Sequence, residues 1–102
     1  MTDYNRLSNA EIVNHLGEQF RQYRLRAQLT QEEVSALTDI SVFTIRKFET
    51  GKAVNLSVQT LFSLLRVAGQ IDRVSALLPP LPPNPERIYK QVSDCKRVRH
   101  GN

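Results

Sequence analysis

The side chains able to do covalent or metal chemistry are few and scattered: His15, Cys95 and His100. His15 sits beside Leu16, and neither histidine has a serine, cysteine or carboxylate spaced to complete a catalytic or metal-binding set. Cys95 has no second sulfur for a disulfide or zinc site, and its place between charged residues suits an incidental exposed thiol. No enzyme and no cofactor are expected. What remains is recognition by charge and hydrogen bonding. Fourteen Lys/Arg against ten Asp/Glu leave a net charge of +4, and a pI near 9.6 suits a polyanionic partner. The excess is uneven: residues 1–78 carry nine cations against eight anions, whereas 79–102 carry five against two.

The elements that position these groups are helices. Thr30-Gln31-Glu32-Glu33 has the form of a capping box, with the Thr30 hydroxyl on a first-turn N–H and the Glu33 carboxylate reaching back to the Thr30 amide. A helix then starts at Gln31 and ends near Thr38, with Val34 and Leu37 inward beside Ala36. Asp39 tolerates the left-handed backbone of a tight turn. Ile40 returns to the core, Ser41 caps the next helix, and Ile45 and Phe48 point inward until Gly51 supplies a left-handed stop. Val42, Phe43, Thr44, Arg46 and Lys47 are left to project elsewhere.

Around this pair, Ser8 and Glu11 form another capping box, and Ile12, Leu16, Phe20 and Tyr23 trace one face of a long helix. Residues 1–7 show no period and are expected to fray. Arg21, Arg24 and Arg26 fall near the C-terminal end of the long helix, where cations meet its dipole favourably; Arg21 and Arg26 read as a solvated face. Ser57 caps a helix whose Val58, Leu61, Phe62, Leu64, Leu65 and Ala68 cover more than one face, and Gly69 ends it. Ile71, Val74, Leu77 and Leu78 then recur at helical spacing before Pro79-Pro80 stops the run. Five helices follow, and the apolar surplus on the last two predicts a dimer interface at Ile71, Val74, Leu77 and Leu78.

The 102 residues fit one small core and a tail: a flexible start over 1–7, a helical domain over 8–78, and a spacer with basic tail over 79–102. All five prolines lie in Pro79–Pro85, a stiff extended segment. Beyond it Lys96, Arg97 and Arg99 form a basic cluster that reads either as a solubilising end or as an arm for DNA or a protein partner. No apolar run reaches membrane-span length and the N-terminus lacks a signal-peptide pattern, so a cytoplasmic protein is expected.

Leu29–Val34 (LTQEEV) followed by Ile40–Lys52 (ISVFTIRKFETGK) resembles the helix-turn-helix of the Xre/Cro repressor family. That resemblance implies an all-α, five-helix, lambda-repressor-like domain whose third helix enters the DNA major groove. It places base contacts at Ser41, Val42, Phe43, Thr44, Arg46 and Lys47, and phosphate contacts at Arg24, Gln31 and Lys52. It also implies an ion pair between Arg24 and Glu49. Gln28 and Asp39 stand where family members commonly have glycine, and Val42 and Phe43 where many relatives have polar residues. A homodimer on palindromic double-stranded DNA is implied, with no cofactor.

The run from Phe48 to Pro79 and the proline-rich basic tail after it are also similar to the antitoxin repressors of HipBA-type toxin–antitoxin modules. This implies repression of the protein's own operon and binding of a HipA-like kinase toxin. Two other readings stay open: a protein-only adaptor that uses the apolar Val42 and Phe43 surface, and a stand-alone phage-type repressor.

Overall fold

The computed structural model describes residues 3–52 and 55–83, and within them the chain is all-helical. Four α-helices run α1 Asn9–Arg26, α2 Gln31–Thr38, α3 Val42–Glu49 and α4 Val58–Val67, and a 3-10 helix at Ile71–Ala76 is the fifth helix of the bundle. Each α-helix starts where a hydroxyl can meet its orphan amides. Ser8, Thr30, Ser41 and Ser57 each accept the N–H three residues on, and at Ser8 and Thr30 the returning glutamate completes the capping box. The Ser8 backbone N–H, donating to the Glu11 carboxylate at 2.9 Å, holds the Glu11 pKa below its ordinary value because it favours the charged form.

Three helix ends share one construction. After α1, α3 and α4 the chain turns through a left-handed residue, Gln28, Gly51 or Gly69, and the next N–H returns to the carbonyl five residues back. The bonds are Leu29 to Arg24 at 3.1 Å, Lys52 to Lys47 at 2.8 Å and Gln70 to Leu65 at 2.8 Å, the Schellman pattern that satisfies orphan carbonyls. Asp39, at φ 62°, turns the chain out of α2. Gln28, at φ 59°, therefore occupies a conformation that normally favours glycine.

α3 is central, packed on α1 and α2, while α4 closes against α2 and α1 and carries the 3-10 helix. Phe20, Val34, Ile45, Phe48 and Leu64 form the core, with Val13, Leu29, Ile40, Leu56, Leu61, Val67 and Ala68 packed on it. The Phe20 and Phe48 rings meet at 5.9 Å between centroids. Each such side chain contributes about 1.5–3 kcal/mol relative to exposure, so Ile45 and Phe48 together seat α3 firmly.

Three expectations are corrected, at α1, at α2 and at the last helix. The buried positions of α1 are Gly17, Phe20 and Arg24, whereas Leu16 and Tyr23 are exposed. Phe20 is inward as expected, but Gly17 and Arg24 replace Leu16 and Tyr23, because Gly17 lets the α3 backbone come close and Arg24 is drawn in by a buried carboxylate. Leu37 is exposed as well, since α2 turns only Val34 fully into the core. Residues before Ser8 include a 3-10 turn at Tyr4–Arg6 capped by Asp3, with the Tyr4 ring edge-on to His15 at 5.7 Å. Finally, the last helix is 3-10 and ends at Ala76. Pro79 disfavours the α conformation of the residue before it, which stops the helix short of Leu78.

Among the described residues, no helix is long and apolar enough to cross a membrane. Cys95, Lys96, Arg97, Arg99 and His100 lie outside the described residues.

Candidate nucleic-acid interface

The residues that tie the helix pair together converge on Glu49. Arg24 Nε donates to Glu49 Oε2 at 2.7 Å and Nη2 to Oε1 at 2.8 Å, a two-pronged guanidinium–carboxylate contact. Arg24 Nη1 donates to the Leu29 carbonyl at 2.9 Å, and Gln31 Nε2 donates to Glu49 Oε1 at 3.1 Å. The end of α1, the turn into α2, the first residue of α2 and the end of α3 thus share one hydrogen-bonded cluster. A carboxylate only accepts, so the Gln31 amide must present its nitrogen here. The pair is buried, Arg24 at 8% and Glu49 at 5% exposure, and no buried side-chain nitrogen or oxygen among the described residues lacks a partner. The hydrogen bond to Glu49 raises the Arg24 pKa above its ordinary value, and burial opposes this.

These bonds define what Arg24 and Gln31 offer a ligand. Three of the five guanidinium N–H groups of Arg24 are committed inside the protein, so its weight falls on holding α3 against α1. Gln31 is half-buried, with one amide N–H on Glu49 and the other left for an external acceptor.

Helix α3 has two opposed faces. Ile45, Phe48 and Glu49 are buried, whereas Phe43, Arg46, Lys47 and Thr50 are exposed, and Val42 and Thr44 are half-buried at the flanks. Residues 43, 46, 47 and 50 lie on one side by helical spacing. Phe43 is 65% exposed, and the Lys47 ammonium lies 5.0 Å from the centre of its ring. Ser41 is bound into the helix start: its hydroxyl accepts the Thr44 N–H at 3.1 Å and donates to Thr44 Oγ1 at 2.9 Å. The hydroxyl proton of Thr44 is thereby left to point toward a partner. Lys52, exposed just after α3, is fixed through its backbone bond to Lys47.

Phe43, Arg46 and Lys47 share the outer side of α3, Thr44 is half-buried at its flank, Gln31 is half-buried at the start of α2, Lys52 is exposed just past α3, and Arg24 and Glu49 are turned inward. Two residues that sequence reasoning did not assign join this surface. Arg21 lines a shallow groove with Glu18, Gln22, Gln31, Glu49 and Thr50, and the Thr50 hydroxyl donates to the Arg46 carbonyl at 2.8 Å. Their spacing was the available signal, since Arg21 stands three residues before Arg24 and Thr50 three after Lys47.

An amphipathic second helix of this kind, seated by two core side chains and presenting cations and hydroxyls outward, is suited to groove insertion. A comparison with curated proteins finds no match. A protein-family model described as a helix-turn-helix domain matches residues 15–77, from within α1 to just past the final 3-10 helix. That match spans more than half of the chain, and the chain belongs to the helix-turn-helix domain family of DNA-binding regulators.

Proposed function

We propose that the protein is a homodimeric transcriptional repressor that reads a palindromic operator with α3. The observation that carries this reading is the division of α3 into a face locked in the core by Ile45 and Phe48 and an opposite face bearing Phe43, Arg46, Lys47 and Thr50. Lys47 donates to guanine O6 and N7, Thr44 to a neighbouring base, and Val42 with Phe43 packs on thymine methyl groups. Gln31 and Lys52 hold phosphates, with Arg21 beside them. Two copies place their α3 helices one turn of DNA apart, roughly 34–36 Å. The apolar residues after α4 supply the contact: Ile71 and Val74 are half-buried, and Leu77 and Leu78 are 62% and 91% exposed.

The activity is binding without catalysis, in the cytoplasm. Similarity of Phe48–Pro79 and the basic tail to HipBA-type antitoxins supports a setting in which the protein represses its own operon and binds a HipA-like kinase toxin. Co-purification of a kinase-like protein, or a kinase-like gene beside this one, is the expected finding; absence of both would remove the antitoxin reading and leave the repressor.

The test is footprinting and titration of the DNA upstream of the protein's own gene across a salt series. A repressor that neutralises phosphates shows log K falling steeply with log salt, whereas an adaptor that binds protein through Val42 and Phe43 does not. Lys47→Ala is expected to lose roughly 1–3 kcal/mol of DNA binding and to relax preference at one base pair. Equal weakening on every sequence would make Lys47 a phosphate contact.

A further inference from the structure

We infer that Phe43 acts chiefly on Lys47: its ring is a platform that holds the Lys47 ammonium where it meets a base edge, which makes Phe43 a positioning residue for readout. This rests on the DNA-reading function proposed above. The two residues stand one turn apart on the outer face of α3, and the ammonium lies 5.0 Å from the ring centre. That is within the roughly 6 Å over which an aromatic face attracts a cation. Phe43 is 65% exposed, whereas Ile45 and Phe48 on the opposite side are at 0% and 1%. The ring therefore has no core function, and its cost in exposed apolar surface calls for another role. Among the described residues, Lys47 takes part in no ion pair.

The choice of ring over carboxylate has a chemical consequence. A carboxylate at position 43 would orient the lysine but cancel its charge and repel the DNA backbone. A quadrupole orients the ammonium, leaves its charge intact and leaves its N–H groups for guanine. It also restricts a flexible four-carbon stem before DNA arrives, so less ordering remains to be done on binding. Expulsion of water on docking then strengthens the contact.

A double-mutant cycle on the full chain and its upstream DNA tests this, using Phe43→Leu, Lys47→Met, the two combined, and Phe43→Trp. Leucine keeps apolar contact with a thymine methyl group and loses the π face; tryptophan keeps the π face. Phe43→Leu is expected to weaken binding about fivefold to thirtyfold and to relax preference at the same base pair as Lys47→Met. The combined variant is expected to bind no more weakly than Lys47→Met, and Phe43→Trp to retain the preference. In the DNA-free protein, NMR is expected to show the Lys47 ε-methylene protons shifted upfield by the ring, and unshifted in Phe43→Leu. Additive losses in the cycle, preference lost at a different base pair, or unshifted ε-protons in the unsubstituted protein would each overturn the role. If the unsubstituted protein fails to bind DNA at all, the repressor function falls and this role with it; if it binds and the losses add, only the role falls.

Discussion

Glu49 accepts three hydrogen bonds from two residues, and Arg24 is the only cation among them. Arg24→Met leaves the carboxylate buried without its partner, and a loss of about 3–5 kcal/mol of folding stability is expected in chemical denaturation. Adding Glu49→Leu is expected to recover most of that loss, since an apolar pair of similar volume removes the stranded charge. A double variant as unstable as the single one would show that the loss comes from packing instead. Gly17 tests the same helix crossing sterically. A Cβ built there would strike the Phe48 carbonyl, with its carbon only 2.7 Å away, and backbone cannot swing aside as a side-chain tip can. Gly17→Ala, which ordinarily favours a helix, is expected here to destabilise by about 1–3 kcal/mol or more, read as a lower denaturation midpoint.

Among the helices, starts were more legible than faces. Ser8, Thr30, Ser41 and Ser57 announce their caps because capping is decided within four residues of chain, and Asp39 and Gly51 mark left-handed stops for the same reason. The inward stripe of α1 was misread because it depends on what lies across from it: Gly17 and Arg24 are not apolar, and only the α3 backbone and Glu49 make them interior. In the candidate site, Phe43, Arg46 and Lys47 could be assigned outward by subtraction from Ile45 and Phe48. The commitment of the Ser41 hydroxyl to Thr44 could not, because it is a matter of rotamer and not of spacing. The left-handed turn after α1 carries its own prediction. Gln28→Gly relieves the Cβ strain at φ 59° while keeping the Leu29 to Arg24 bond, and is expected to raise stability by about 0.5–1 kcal/mol. Unchanged or lower stability would mean that the entropy glycine adds to the unfolded chain outweighs the strain.

For the molecule as a whole, the question is what covers Leu77, Leu78 and Leu81, which stand 62%, 91% and 53% exposed in one short stretch. Among the described residues of one copy little packs on them, and the final 3-10 helix ends at Ala76. Sedimentation is expected to show a dimer, and Leu77→Glu with Leu78→Glu is expected to shift it to monomer while leaving the fold intact. Operator affinity is expected to fall along with it. A monomer in the unsubstituted protein, both alone and on DNA, would sink the paired-reader reading. Assembly was the least legible level in the sequence, since spacing identified apolar residues at 71, 74, 77 and 78 but not that only the first two would be half-covered.

The close approach of α1 and α3 at Gly17 also bears on how such a protein changes over generations. The pose of α3 is fixed by backbone proximity at Gly17, by Ile45 and Phe48, and by the buried Arg24–Glu49 pair, whereas Phe43, Arg46 and Lys47 are exposed. Under the proposed DNA-reading function, substitutions on that surface are expected to alter which DNA is preferred while leaving the scaffold in place. A duplicated copy would be free to diverge toward a new operator while inheriting an unaltered scaffold.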